Sequence, residues 1–211
     1  ENCIFENNNT GLYIGGNVIT KIDNSEFINN SYRGINKQGN GGRLEVKNSL
    51  FQNNGEGIYI NGGSAYLIDN SEFSGNNSYG FRHDNPSSNT PRIIQNSNFF
   101  NNEHGIDSNN ENYGPYVYNS KIANNVGYGI ERANTIENCV INNNGSYGVY
   151  GSGQVHNSTI INNRYGGEGG NIINSIIFFN SDLQINSSSV EYSAVQGGYD
   201  GEGNIDLNPA F

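Results

Sequence analysis

The sequence predicts an all-β fold, a right-handed single-stranded parallel β-helix of about ten coils with three short strands per coil. Three observations predict it. A seven-residue unit, N-[SC]-x-[FI]-x-x-N, recurs along the chain. Its spacing stays near one turn of a three-sided coil. Apolar residues keep fixed offsets from its start. Internal repeats are read first, because a missed period mis-assigns the whole fold.

The unit begins at Asn2, Asn24, Asn48, Asn70, Asn96, Asn119, Asn138, Asn157 and Asn174, and a tenth begins at Tyr192. Two positions before each start after the first stands Ile or Val, as at Ile22, Val46, Ile68 and Ile94. One position after comes Ser or Cys, and three after comes Phe in the first five units, Ile in the next four and Val in the last. These three offsets cannot share one face of a continuous strand, where side chains alternate. The parity breaks at the Asn, the non-Gly residue best suited to the left-handed region. The unit-start Asn is therefore a corner between two strands. Coils stacked ~4.8 Å apart would align these side chains into a ladder.

A second Asn, six residues after the start (Asn8 through Asn180), marks another corner. A Gly and an apolar residue follow, as in Gly34-Ile35, Gly57-Ile58, Gly80-Phe81 and Gly105-Ile106, and open the third strand. Parallel strands joined without helical crossovers define a β-solenoid. A leucine-rich repeat would need Leu-x-x-Leu-x-Leu spacing, which the sequence lacks. The division expected is a repeat region over residues 1–196 and a closing segment over residues 197–211.

Composition sets bounds. Only 33% of residues are hydrophobic, a level that suggests disorder, but the apolar residues are periodic and charged residues are just 14%. A net charge of −10 argues against nucleic acid, which needs clustered Lys and Arg. No run of about 18 apolar residues exists to insert in a membrane. An acidic balance suits an extracellular setting. Asn2 already occupies a repeat position, so we expect a piece of a longer chain with neighbouring domains. Cys3 and Cys139 both fall in the small inward slot, six coils or roughly 29 Å apart, too far for a disulfide. Both are expected free and buried.

The pattern N-S-x-F-x-N-N followed by G-I-x-I, as in residues 48–60, resembles the repeats of the pectin-lyase-like right-handed parallel β-helix superfamily. The resemblance spans essentially the whole chain. The tail GGYDGEGNIDLNPAF resembles the segment that closes β-helix regions of large secreted or surface-anchored bacterial proteins. The resemblance implies glycan binding along the strand that starts at the Gly-Ile step. It does not fix an activity, because one fold hosts lyases, hydrolases, epimerases, adhesins and tailspikes. The Asp pair and Arg-x-Lys of polygalacturonases, the Arg-x-Pro of pectate lyases and the Asp-Pro-His-Glu of alginate epimerases are all missing.

Two outward rows on that strand carry the candidate ligand-binding residues. One holds Tyr59, Arg82, Asp107, Glu131 and Tyr150, and its neighbour holds Tyr79, His104, Tyr128 and Tyr147. Tyr offers a flat apolar face for a sugar ring, though it also suits any exposed strand. Arg82, Asp107 and Glu131, on successive coils, form the sharpest cluster. Paired carboxylates ~5 Å apart can supply an acid and a base, with Arg82 beside them for an anion. The same residues also fit a plain surface ion pair. The loops after Arg82 and after Asp107 are the longest, and are expected to wall a groove. Asp200, Glu202, Asn204 and Asp206 alternate like a short calcium loop of hard oxygen ligands, but Ile205 stands where an EF-hand needs Gly. No cofactor is required on this reading, and Ca²⁺ is the one candidate, against a Gly-rich capping turn. Sequons such as Asn144-Gly145-Ser146 follow from Asn and Ser richness and carry no weight.

The functional expectation is an extracellular or cell-surface β-helix module of a secreted bacterial protein, binding a polysaccharide or surface glycan or serving as a rigid stalk. The alternative is an enzyme acting on an acidic glycan through Arg82, Asp107 and Glu131.

Overall fold

A computed structural model of the chain describes residues 1–86, 90–187 and 189–210. The first coil runs through Ile4–Glu6, Thr10–Ile14 and Ile19–Asp23, and later coils repeat that trio. The strands stack into three parallel sheets, here called A, B and C in the order of those three strands, of ten, nine and nine strands. Nine coils close and the tenth contributes only Ala194–Val195, slightly short of the ten expected. Register follows the repeat: Phe5 pairs with Phe27, Phe27 with Phe51, and Ile122 with Ile141.

Every unit start has left-handed backbone, from φ 48° at Asn24 to 55° at Asn138, and Tyr192 in the tenth unit has φ 50°. The corner is where the parity break puts it. The ladder expected there is only partial. These side chains point outward, so Asn24 Nδ2 donates to Asn2 and Asn70 Nδ2 to Asn48, but Asn48 and Asn96 turn to Asp23 and Asp69 instead.

The continuous ladder is at the second Asn, where we expected a corner. The left-handed residue is one position earlier, at Asn7, Asn29, Asn53, Asn101, Asn124, Asn143 and Asn162, with Gly75 and Phe179 in the remaining coils. In each Asn-Asn pair after the first coil the first residue turns the chain and the second drops its carboxamide inside, whereas Asn8 in the outermost coil stays exposed. Asn54, Asn76, Asn102, Asn125, Asn144 and Asn163 each donate Nδ2 to the Asn Oδ1 of the next coil at 2.8–3.2 Å. Each Oδ1 also accepts a backbone N–H from the coil before, as Asn102 Oδ1 does from Asn76 N at 3.0 Å. This satisfies the polar backbone that a bend would otherwise leave unpaired indoors. It also consumes the sequon Asn144, whose side chain is buried in the ladder. A second ladder forms at the Ser slot, where Ser25, Ser49 and Ser71 each donate their N–H to the next Oγ.

Between the ladders lies the apolar core. Phe5, Phe27, Phe51, Phe73 and Phe99 stack with ring centroids 4.4–4.8 Å apart and planes within 5°. Ile122, Ile141, Ile160 and Ile177 continue the column, all fully buried. The Gly before the apolar step is required by close approach: a Cβ on Gly34 would lie 2.6 Å from Gly57 O and 3.1 Å from the Phe51 ring. Cys139 is buried as expected, and burial pushes its thiol up to about 11. Cys3 is exposed, contrary to expectation, because it sits in the outermost coil of the stack.

Residues 197–210 fold over the last coil. Asn204 Oδ1 accepts the Ser193 N–H at 3.0 Å, the bond that the next Ser slot would otherwise make. Its Nδ2 donates to Val190 O, and Ile205 pairs with Ala194. Phe211 lies outside the described residues.

Candidate functional site

The outward rows of sheet B assemble in the predicted register. Tyr59 pairs with Arg82, Arg82 with Asp107, Asp107 with Glu131, and Glu131 with Tyr150. Parallel pairing puts these residues one coil apart, ~5 Å, on a flat outer face. The companion row becomes an aromatic column. Tyr79, His104, Tyr128, Tyr147 and Tyr165 stack on one another with centroids 5.0, 5.4, 5.9 and 4.6 Å apart. Their faces are therefore spent on each other, and the Tyr147 hydroxyl lies against Glu168. Tyr59 is also covered, by Arg33 at 3.5 Å from its ring centroid. Stacking of a sugar on these faces, the role expected of them, is largely pre-empted.

The charged row is a connected network. Arg82 Nη2 lies 3.1 Å from Asp84, and its guanidinium is 3.8 Å from both Glu56 and Asp107. Arg132 Nη2 is 2.5 Å from Glu131 and its Nη1 3.4 Å from Asp107. Arg33 Nε is 2.5 Å from Glu56. Tyr59 donates its hydroxyl to Asp84 at 3.1 Å. Asp107 is the centre, with a side chain only 7% exposed. Burial and the neighbouring Glu131 push its carboxyl up to about 7, against the pull of Arg132 and Arg82. Burial lowers His104 below the usual imidazole range, while Glu103 and Glu131 pull it back up.

A carboxyl raised toward neutrality by burial on an outer sheet face, beside two guanidiniums, is an arrangement found at functional sites and in structural ion-pair networks alike. The family model for a right-handed β-helix region matches residues 1–132. The chain belongs to the right-handed β-helix family. No curated protein and no solved structure matches it. The matched part of this β-helix protein holds the charged row as far as Glu131 and Arg132. Tyr147, Tyr150 and Tyr165 lie beyond it, in coils that continue the same register.

Two members of the site escape sequence reasoning in this β-helix. Asp84 follows two residues after Arg82 on the same strand, so it reaches the same face by strand alternation, a signal that was available. Arg132 has φ 55° at a turn where Gly151 and Gly169 stand in the next two coils. An Arg in a position suited to Gly is a strained choice and the sign that could have found it.

Among the described residues the long loops border sheet C. Residues 87–89 of the first lie outside the described residues. The rest, with the turn at Glu111–Tyr113, borders a cavity of about 380 Å³ on sheet C, lined by Pro91, Ile93, Tyr113, Tyr116 and Tyr118. A groove of about 630 Å³ runs along the unit-start corner among its Asn and Ser residues, also away from the charged row. In the tail, Asn204 is engaged as the cap, and Asp206 Oδ1 accepts the Gly197 N–H at 3.0 Å. Among the described residues no three His, Cys, Asp or Glu side chains gather as a metal site.

Proposed function

We propose that this chain is a rigid glycan-binding module of a larger bacterial protein, acting at the cell surface or outside it, with the outer face of sheet B as its binding face. One observation carries the reading. The aromatic column, with tyrosines on the three successive coils of Tyr128, Tyr147 and Tyr165, and the polar row beside it repeat once per coil along the axis. A linear polysaccharide, with hydroxyls repeating along its length, is the natural complement of such a one-dimensional array. Contact is by hydrogen bonds to ring edges, hydroxyls and carboxylates, since the ring faces are taken. The solenoid supplies preorganisation, because half-buried, mutually stacked side chains lose little further freedom on binding.

The test is a glycan array followed by calorimetry on the hits. Replacing Tyr128 and Tyr147 together by Ala should weaken binding by about tenfold or more, equivalent to roughly 1.4 kcal/mol. No binding to any glycan would leave a spacer and overturn the reading.

A second reading, a polysaccharide-active enzyme, is favoured by the near-neutral Asp107 beside Glu131. In it Asp107 transfers the proton and Glu131 is the second carboxylate. Release of new reducing ends or unsaturated products, lost in Asp107→Asn, would establish it in place of the first.

A further inference from the structure

We propose that the ligand of the sheet B face is an uncharged glycan and that the face rejects uronate chains. The inference rests on the glycan reading above and names the class of glycan.

Its basis is the state of the guanidiniums. A uronate carboxylate needs a free cation, and every arginine on this face is already held. Arg33 is bound to Glu56 at 2.5 Å and lies flat on Tyr59. Arg82 is shared among Asp84, Asp107 and Glu56. Arg132 is divided between Glu131 and Asp107. Arg164, at the far end of the column, is 2.7 Å from Asp182. His104, the one imidazole in the column, is held below its ordinary range by burial and stays neutral near pH 7.

The count then runs against an anion. Arg33, Arg82, Arg132 and Arg164 face Glu56, Asp84, Asp107, Glu131, Glu168 and Asp182, six acids against four bases. At Arg33, Arg82 and Arg132 an arriving carboxylate would have to take a guanidinium from a largely buried partner, Glu56 or Asp107, and strand that charge indoors, whereas Arg164 and Asp182 form an exposed pair at the far end. It would also meet the field of a chain with net charge −10. Sugar hydroxyls face neither obstacle. Each donates to an outward carboxylate oxygen or accepts from a tyrosine hydroxyl, and no ion pair opens.

Charge can be varied with the backbone held constant. Galacturonan oligomers of one length, as free acids and as methyl esters, are titrated calorimetrically into the chain beside neutral glucan, mannan and galactan oligomers. We expect neutral or esterified chains to bind, with affinity changing by less than about twofold between 50 and 500 mM salt. Free acids should bind at least about tenfold more weakly. Glu131→Gln, which releases Arg132 Nη2, should raise affinity for the free acids selectively. Tighter binding of the free acids to the unaltered chain overturns this inference and leaves the glycan reading intact. Failure of every oligomer to bind overturns both.

Discussion

The corner between sheets A and B and the corner between sheets B and C are built on opposite plans. At the first, a three- or four-residue step separates the second Asn from the Gly in the first eight coils, as from Asn54 to Gly57 and Asn144 to Gly148, and from Asn180 to Gln184 in the ninth. Polar groups there are paired coil after coil. At the second, the number of residues varies widely. Phe81 and Ile94 are thirteen positions apart, whereas Val149 and Val155 are six. The longer crossings widen the lumen of the early coils, and large amphipathic side chains fill it. Lys37, Tyr66, His83 and Arg92 are all buried there, while Ala133 and Ser152 suffice in the short coils. Lys37 Nζ donates to Gly16 O, and Arg92 Nη1 to Tyr113 O. Tyr66 Oη, His83 Nδ1, and Arg92 Nε and Nη2 find no partner among the described residues. One corner specifies the fold, and the other tolerates variation.

The contrast breaks first if the constant corner can be damaged cheaply. Asn102→Ala removes bonds to Asn76 N, Asn76 Nδ2, Phe73 O and Asn125 Oδ1 and strands buried partners. We expect a loss of about 4 kcal/mol and a fall in Tm of roughly 10 °C by calorimetry. A loss below about 1 kcal/mol would mean that the ladder is ornamental.

The next effect is in the pH dependence. Asp107 is raised to about 7, so the folded chain holds its proton more tightly than the unfolded one, and stability from this group falls as pH rises from about 4 to about 7. His83, buried and lowered to about 4, acts oppositely, and its contribution is lost as pH falls from about 6.5 to about 4. The two oppose each other over most of that window. Asp107→Asn should therefore uncover the histidine, giving a variant whose Tm drops on acidification by about 5 °C more than that of the parent. Parallel Tm curves from pH 4 to 8 would refute the assignment of either group.

The smallest effect sharpens the comparison at the variable corner. Tyr66→Phe deletes a fully buried hydroxyl that bonds to nothing described. Stability should change by less than about 1 kcal/mol, in the stabilising direction. A loss above that in chemical denaturation would reveal a partner for the hydroxyl.

The constant corners were legible because each leaves a mark on residue type. Only a left-handed position explains the Asn between Val46 and Ser49, and only a Phe column explains Phe27, Phe51 and Phe73. The continuous ladder at the second Asn was missed because two adjacent Asn residues divide turning and bonding between them, and composition cannot say which does which. The outward rows were legible through strand alternation, which placed Arg82, Asp107 and Glu131 side by side. What period alone could not give was orientation across rows. It did not show that the tyrosines would stack on each other, or that Arg132 would bend back over Asp107 and Glu131 from a turn. The polar interior near Arg92 was hidden for a similar reason, since a widened coil follows no template.

The buried asparagines have one property that no single coil displays. Along the column from Asn30 to Asn163, every side-chain amide gives one hydrogen to the next Asn Oδ1 toward the C-terminal end and the other to a backbone carbonyl of the coil before, while each Oδ1 receives from the N-terminal side. The carboxamide dipoles are thus aligned head to tail, and neighbouring bonds polarise one another. Gln184 closes the C-terminal end by accepting from Asn180 Nδ2 at 3.1 Å and returning its own amide to Asn180 O at 2.7 Å. The lumen carries a vector. Its two ends are chemically unlike, and a coil added in the reverse sense would bring donor against donor.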